Sequence, residues 1–88
     1  MSVVHTKTVT VGSAVGLHAR PAAIIAGAAT AAGVPVTLSV DGGEKVDAGS
    51  ALMIMTLGAG NGARVTVASP DEEVVLRIAS LVEQDLDA

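Results

Sequence analysis

A chain of 88 residues is shorter than most domains, so residues 1–88 are expected to form one domain around one modest core. Half of the residues are apolar but none is Phe, Tyr or Trp, which excludes the aromatic stacking that binds single-stranded nucleic acid. The formal net charge of −4 argues against a nucleic-acid partner, and the absence of cysteine excludes disulfides and thiol chemistry.

The first half of the chain is predicted to form a strand, a helix and a hairpin. Residues 3–11 alternate between an apolar face and a threonine face, as a half-buried strand does. Residues 19–32 are rich in alanine, the best helix former, and the next residue, Gly33, can end the helix. Residues 36–40 alternate again, and residues 44–48 are expected to return as a hairpin after a glycine-containing turn.

The second half is predicted to form a short helix, a strand and a longer helix. Residues 50–57 are an apolar helix of barely two turns, and residues 63–68 are a strand. The last helix has a capping box, in which Ser69 is the N-cap, Pro70 takes the first helical position and Glu72 completes the box. The order βαββαβα predicts an α+β two-layer sandwich, and the pattern alone leaves the strand order open.

The longest uncharged stretch, residues 21–40, is expected to fold rather than to enter a membrane. It is interrupted by Gly27, Gly33 and Pro35, whereas a spanning helix needs about 20 strongly apolar residues. We therefore expect a cytoplasmic protein without membrane insertion.

The chemistry-bearing residues lie at the start of the first helix. His18 precedes or begins this helix, where unpaired N–H groups and a partial positive charge suit a phosphate. Histidine is a nitrogen nucleophile at neutral pH, and the guanidinium of Arg20 can donate to phosphoryl oxygens. No second nucleophile, carboxylate pair, Walker loop or metal cluster accompanies them, so the sequence predicts a relay rather than a complete hydrolase or kinase site. From spacing alone, a histidine that only caps the helix remains an alternative.

Two segments carry a resemblance to a known family. The run Gly16-Leu17-His18-Ala19-Arg20-Pro21-Ala22 resembles the active-site signature of HPr, the histidine-containing phosphocarrier of the bacterial phosphoenolpyruvate-dependent sugar phosphotransferase system. Residues 50–58 resemble the regulatory-serine and short-helix segment of the same family. The element order and the total length also agree, so the resemblance covers nearly the whole chain.

The resemblance implies a carrier rather than an enzyme, with no cofactor or metal. Enzyme I, charged by phosphoenolpyruvate, is implied to phosphorylate Nδ1 of His18, and the group then passes to a sugar-specific enzyme IIA for coupled sugar uptake and phosphorylation. Arg20 and the backbone N–H groups of Ala19 and Arg20 are implied to hold the phosphoryl group. The implied fold is an open-faced sandwich, with an antiparallel sheet of order 1-4-2-3 and three helices on one face. A monomer is expected.

The short helix is expected to be the docking surface for both partners. Its apolar side chains cannot all face a core from so short a segment, and methionine adapts to several partners. The residues assigned to this surface are Val15, Ala51, Leu52, Met53 and Met55.

The chain departs from the family pattern at three positions. Gly49 and Met53 replace the lysine and the glycine that accompany the regulatory serine in many Gram-positive members, so regulatory phosphorylation of Ser50 is not expected. Val15 stands where many members carry a polar Ser or Asn.

Two alternatives stay open at this point. One is a paralogous carrier in a nitrogen-regulatory or dihydroxyacetone-kinase relay, with the same chemistry and other partners. The other is a non-catalytic, ferredoxin-like regulatory module with strand order 4-1-3-2, in which His18 only caps a helix.

Overall fold

The computed structural model describes residues 3–86, which form four strands and three helices. In chain order they are β1 (His5–Thr10), α1 (Ala19–Ala32), β2 (Thr37–Val40), β3 (Val46–Asp47), α2 (Ala51–Met55), β4 (Arg64–Ser69) and α3 (Glu72–Glu83). The predicted order βαββαβα is confirmed, and the element boundaries differ from the predicted ones by a few residues.

The four strands form one antiparallel sheet in the order β1-β4-β2-β3. Val65 in the central strand β4 pairs with Val9 of β1 on one side and with Val40 of β2 on the other. This order confirms the one implied by the resemblance to HPr. It contradicts the order 4-1-3-2 expected of a ferredoxin-like module.

The core lies between the sheet and the three helices. Each helix contributes a fully buried isoleucine, namely Ile25 from α1, Ile54 from α2 and Ile78 from α3, and these pack with sheet residues such as Leu38 and Val67. Burying an aliphatic side chain of this size contributes about 1.5–3 kcal/mol relative to leaving it exposed. On the opposite face of the sheet, Thr8 and Thr66 share a hydrogen bond of 2.7 Å.

Helix α1 spans the predicted residues, whereas α2 begins after its predicted cap but ends at Met55, two residues before the predicted end. His18 is the N-cap of α1, and Gly33 ends that helix in the left-handed conformation, with φ of 72°. Ser50 is the N-cap of α2, because its Oγ accepts a hydrogen bond from the N–H of Met53 at 3.2 Å. Within residues 3–86, no helix is both long enough and apolar enough to cross a bilayer.

The predicted capping box of α3 is wrong. Ser69 is the last residue of β4, where it pairs with His5 and is buried. The N-cap is Asp71, whose Oδ1 accepts hydrogen bonds from the N–H groups of Glu73 and Val74, at 3.0 and 3.4 Å. The cap moves because pairing with β1 holds Ser69 in the extended sheet, so the helix begins two residues later than predicted.

Candidate functional site

The segment between β1 and α1 is held in place from two sides. The N–H of Gly12 donates to the carbonyl of Val82 in α3 at 3.0 Å, and the N–H of Leu17 donates to the carbonyl of Ala59 at 2.9 Å. The fully buried hydroxyl of Ser13 donates to the carbonyl of Gln84 and accepts from the N–H of Leu86. The loop that carries His18 is therefore tied both to the end of α3 and to the turn before β4.

The turn before β4, residues 59–62, also contacts this loop through a side chain. The Nδ2 of Asn61 lies 3.4, 3.4 and 3.2 Å from the carbonyl oxygens of Val11, Gly12 and Ser13, to which it donates. Gly16 has a φ of 77°, and a β-carbon on it would lie 2.5 Å from the carbonyl oxygen of Ala59. Glycine is required here both for the left-handed conformation and for the close approach of the two backbones.

His18 caps α1 with its own imidazole. Its backbone is extended, with φ of −82° and ψ of −171°, and its Nδ1 accepts a hydrogen bond from the N–H of Ala19 at 2.9 Å. An atom that accepts an N–H bond carries a lone pair, so in the neutral ring the hydrogen sits on Nε2. The Nδ1 lone pair thus points at the N-terminus of the helix, and the side chain is exposed.

The first turn of α1 can offer two backbone N–H groups to a ligand, those of Ala19 and Arg20. Pro21 has no N–H, and the N–H of Ala22 already donates to the carbonyl of His18 at 2.9 Å. The N–H of Ala19 is held by the imidazole, and no acceptor within residues 3–86 pairs with the N–H of Arg20. In the same part of the chain, the Arg20 guanidinium is exposed and makes no ion pair. Two N–H groups and one guanidinium can therefore receive an anion beside Nδ1.

A shallow cleft of about 250 Å³ opens beside His18. It is lined by Val15, Leu17, His18, Met55, Gly58, Ala59 and Gly60. The structure thus brings two of the predicted partner-binding residues, Val15 and Met55, to the same cleft as the histidine. Its wall comes from α2 and the turn that follows, which lie far from His18 in sequence.

The other predicted site residues lie around or away from this cleft. Leu52 is the most exposed residue of α2, and Ala51 is half-buried against the core. Met53 lines a different hollow, with Val46 and Leu57, beneath the β2–β3 hairpin. Ser50 serves as the N-cap of α2, and the expectation that it is not a regulatory phosphorylation site stays a prediction.

Sequence reasoning missed Asn61. An asparagine between two glycines indicates a turn, and nothing local shows that its amide reaches residues 11–13. The neighbouring helix α1 buries Ile25 and Ala29 and leaves Ile24 on its outer face. Its side chain is exposed one turn after Arg20.

Comparison with known proteins bears directly on this site. The family model for the PTS HPr component phosphorylation site matches residues 5–84, which include all four strands and all three helices. The chain belongs to the PTS HPr family. Its sequence is 48% identical over 84 residues to the phosphocarrier protein HPr of Streptomyces coelicolor, covering 92% of this chain and 90% of that protein.

Solved HPr structures share the fold of this family member. The phosphocarrier protein HPr of Bacillus anthracis has a TM-score of 0.83 at 32% identity, over 90% of this chain and 96% of that one. HPr-C-His from Thermoanaerobacter tengcongensis has a TM-score of 0.84 at 29% identity, over 96% and 97% of the two chains. The open-faced sandwich is therefore the HPr fold, and the chain is a phosphocarrier of this family.

Proposed function

We propose that this phosphocarrier accepts a phosphoryl group from phosphorylated enzyme I on Nδ1 of His18 and passes it to a sugar-specific enzyme IIA. One observation carries the proposal: Nδ1 of His18 accepts a hydrogen bond from the N–H of Ala19 at the N-terminus of α1, and the N–H of the next residue, Arg20, has no acceptor within residues 3–86. We further propose that it works as a cytoplasmic monomer that meets its two partners in turn.

The transfer exchanges one bond to phosphorus for another. The Nδ1 lone pair attacks phosphorus, and the Nδ1–P bond forms as the bond from phosphorus to the donor atom breaks, with its electron pair returning to the donor. The N–H of Ala19, which donates to Nδ1 at 2.9 Å before the transfer, then donates to a phosphoryl oxygen. Helix N-terminal N–H groups and an arginine fork both favour such an anion.

Arg20 and its own N–H complete the binding of the phosphoryl group. Neither has a partner within residues 3–86, so both can donate without breaking a contact of the free protein. In the second transfer, a nucleophilic atom of enzyme IIA attacks phosphorus, and the Nδ1–P bond breaks with its electron pair returning to Nδ1. The exposure of His18 lets each partner in turn cover the site and exclude water.

Incubation with enzyme I and phosphoenolpyruvate tests the proposal. We expect one acid-labile phosphoryl group per chain in the wild-type protein and none in His18→Ala. His5→Ala is the matched control, because His5 is the other histidine and lies in β1, where its Nδ1 is 3.6 Å from Glu72. Phosphorylation of His18→Ala, or its loss in His5→Ala, would contradict the assignment of His18.

The choice of partners is tested by a panel of acceptors. The phosphorylated carrier is mixed with enzyme IIA proteins of sugar systems and with acceptors of nitrogen-regulatory and dihydroxyacetone-kinase relays. We expect fast transfer to a sugar-specific enzyme IIA. Transfer to the other acceptors alone would place the same chemistry in a paralogous relay.

A further inference from the structure

Two polar residues are buried within residues 3–86, and the fold accounts for only one of them. Ser69 ends β4, and its Oγ accepts a hydrogen bond from the N–H of Asp71, the N-cap of α3, at 3.3 Å. Ser13 is 0% exposed in the loop that carries His18, where it is neither a helix cap nor part of a strand. Its hydroxyl therefore needs another explanation.

The Ser13 hydroxyl holds the backbone of the segment that follows α3. Its Oγ donates to the carbonyl of Gln84 at 3.2 Å and accepts from the N–H of Leu86 at 3.1 Å. Helix α3 ends at Glu83, so both partners lie outside the helix. One side chain in the His18 loop thus fixes two backbone groups of residues 84–86.

The backbone of Ser13 begins the turn that leads to His18. Its carbonyl accepts from the N–H of Gly16 at 2.9 Å, which closes a four-residue turn, and from Nδ2 of Asn61 at 3.2 Å. Gly16 comes two residues before His18. Ser13 is therefore the residue at which the segment after α3, the turn before β4 and the His18 loop meet.

We propose that Ser13 is a positioning residue for phosphoryl transfer, and that its hydroxyl holds the turn 13–16 against residues 84–86 so that Nδ1 of His18 stays aligned with the incoming phosphorus. This rests on the proposed function. Without the hydroxyl, the carbonyl of Gln84 and the N–H of Leu86 lose their partner and turn toward water. The turn then loses its support on that side, and a small displacement of a reacting atom strongly slows a reaction that depends on alignment.

The burial of Ser13 determines which kinetic quantity should change. A side chain that is 0% exposed makes no contact with the donor protein, so it contributes nothing directly to docking. A loss of alignment lowers the maximal rate of transfer, whereas a loss of docking raises the half-saturating concentration of the carrier. A purely structural role changes the folded fraction and leaves both quantities unchanged for the folded protein.

The first test compares the two buried serines. Ser13→Ala and Ser69→Ala are the same substitution at equal burial, and each removes a hydroxyl that accepts a backbone N–H bond. Rapid-quench transfer from phosphorylated enzyme I, at increasing carrier concentration, separates the maximal rate from the half-saturating concentration. We expect Ser13→Ala to lower the maximal rate about tenfold and to keep the half-saturating concentration within about twofold. Ser69→Ala should keep both wild-type values.

The second test removes the partner instead of the hydroxyl. Leu86→Pro deletes the N–H that donates to Ser13, whereas Leu86→Ala keeps this N–H and loses most of the side chain. We expect Leu86→Pro to lower the maximal rate and Leu86→Ala to leave it unchanged. Adding Leu86→Pro to Ser13→Ala should cause no further fall, because both changes break the same contact. This pair also carries the test if Ser13→Ala does not fold.

Three outcomes overturn the proposal. One is a Ser13→Ala variant that folds normally by circular dichroism and keeps the wild-type maximal rate. Another is an equal fall in Ser69→Ala, which would trace the loss to stability alone. The third is an equal fall in Leu86→Pro and Leu86→Ala, which would assign the effect to the packing of the leucine. A wild-type protein that accepts no phosphoryl group contradicts the proposed function instead.

Discussion

The side-chain nitrogen of Asn61 lies 3.2 Å from the carbonyl oxygen of Ser13, at the base of the loop that carries His18. The same amide also donates to the carbonyls of Val11 and Gly12. We expect Asn61→Asp, which keeps the shape but turns a donor toward carbonyl oxygens into an acceptor, to lower the free energy of unfolding by about 1–3 kcal/mol. Because the loop positions His18, the rate of phosphoryl acceptance from enzyme I should fall as well. Chemical denaturation and rapid-quench kinetics measure the two effects.

Thr66→Val is the control for the Asn61 prediction. It removes the hydrogen bond between Thr8 and Thr66 on the open face of the sheet, away from the helices. This variant should lose about 1 kcal/mol of stability or less and should accept phosphate at the wild-type rate. An Asn61→Asp variant with an unchanged transfer rate would limit Asn61 to a structural role.

Gly16→Ala is expected to be strongly destabilising. It combines a φ of 77° with a new β-carbon 2.5 Å from the Ala59 carbonyl oxygen and 2.8 Å from the Gly60 Cα. Gly33→Ala has nearly the same φ, at 72°, but its β-carbon would meet nothing within 4 Å. Gly33→Ala should therefore cost about 1–2 kcal/mol for the conformation alone. A thermal denaturation series should show a clearly larger loss for Gly16→Ala; equal losses would mean that the two backbones separate without cost.

Asp71 should account for the capping energy of α3. We expect Asp71→Ala to lower the free energy of unfolding by about 1 kcal/mol, since its Oδ1 satisfies two N–H groups of the first turn. Glu72→Ala, at the position that the sequence assigns to a capping box, should cost less than about 0.5 kcal/mol. Urea denaturation of both variants gives the comparison. A larger loss in Glu72→Ala than in Asp71→Ala would contradict the observed cap.

Arg20 should affect transfer and leave stability unchanged. Its guanidinium is exposed and forms no ion pair within residues 3–86, so Arg20→Gln should change the free energy of unfolding by less than about 0.5 kcal/mol. The rate of phosphoryl acceptance should fall at least about tenfold, because one charge-assisted contact is lost. Arg20→Lys should recover only part of the rate, since a lysine keeps the charge but lacks the planar fork of donors. Full recovery with lysine would mean that charge alone matters.

The sequence predicts those parts of the site that depend on neighbours along the chain. His18 at the start of an alanine-rich helix, Pro21 in its first turn and Ser50 before the short helix are all local signals, and each lies where predicted. They could be predicted because a helix cap depends on residues within one turn of it. The same reasoning gave the wrong cap for α3, because Ser69 is held in the sheet by pairing with His5, a residue more than sixty positions away.

The sequence by itself determined the element order, the position of His18 at a helix N-terminus and the uncharged character of the segments around it, since these follow from local pattern and composition. Only the tertiary structure decided that Asn61 and Ala59 hold the loop before His18, and that Met55 lines the His18 cleft while Met53 lines a separate hollow. These contacts join residues far apart in sequence. They depend on how the sheet and helices pack together, which no local pattern specifies.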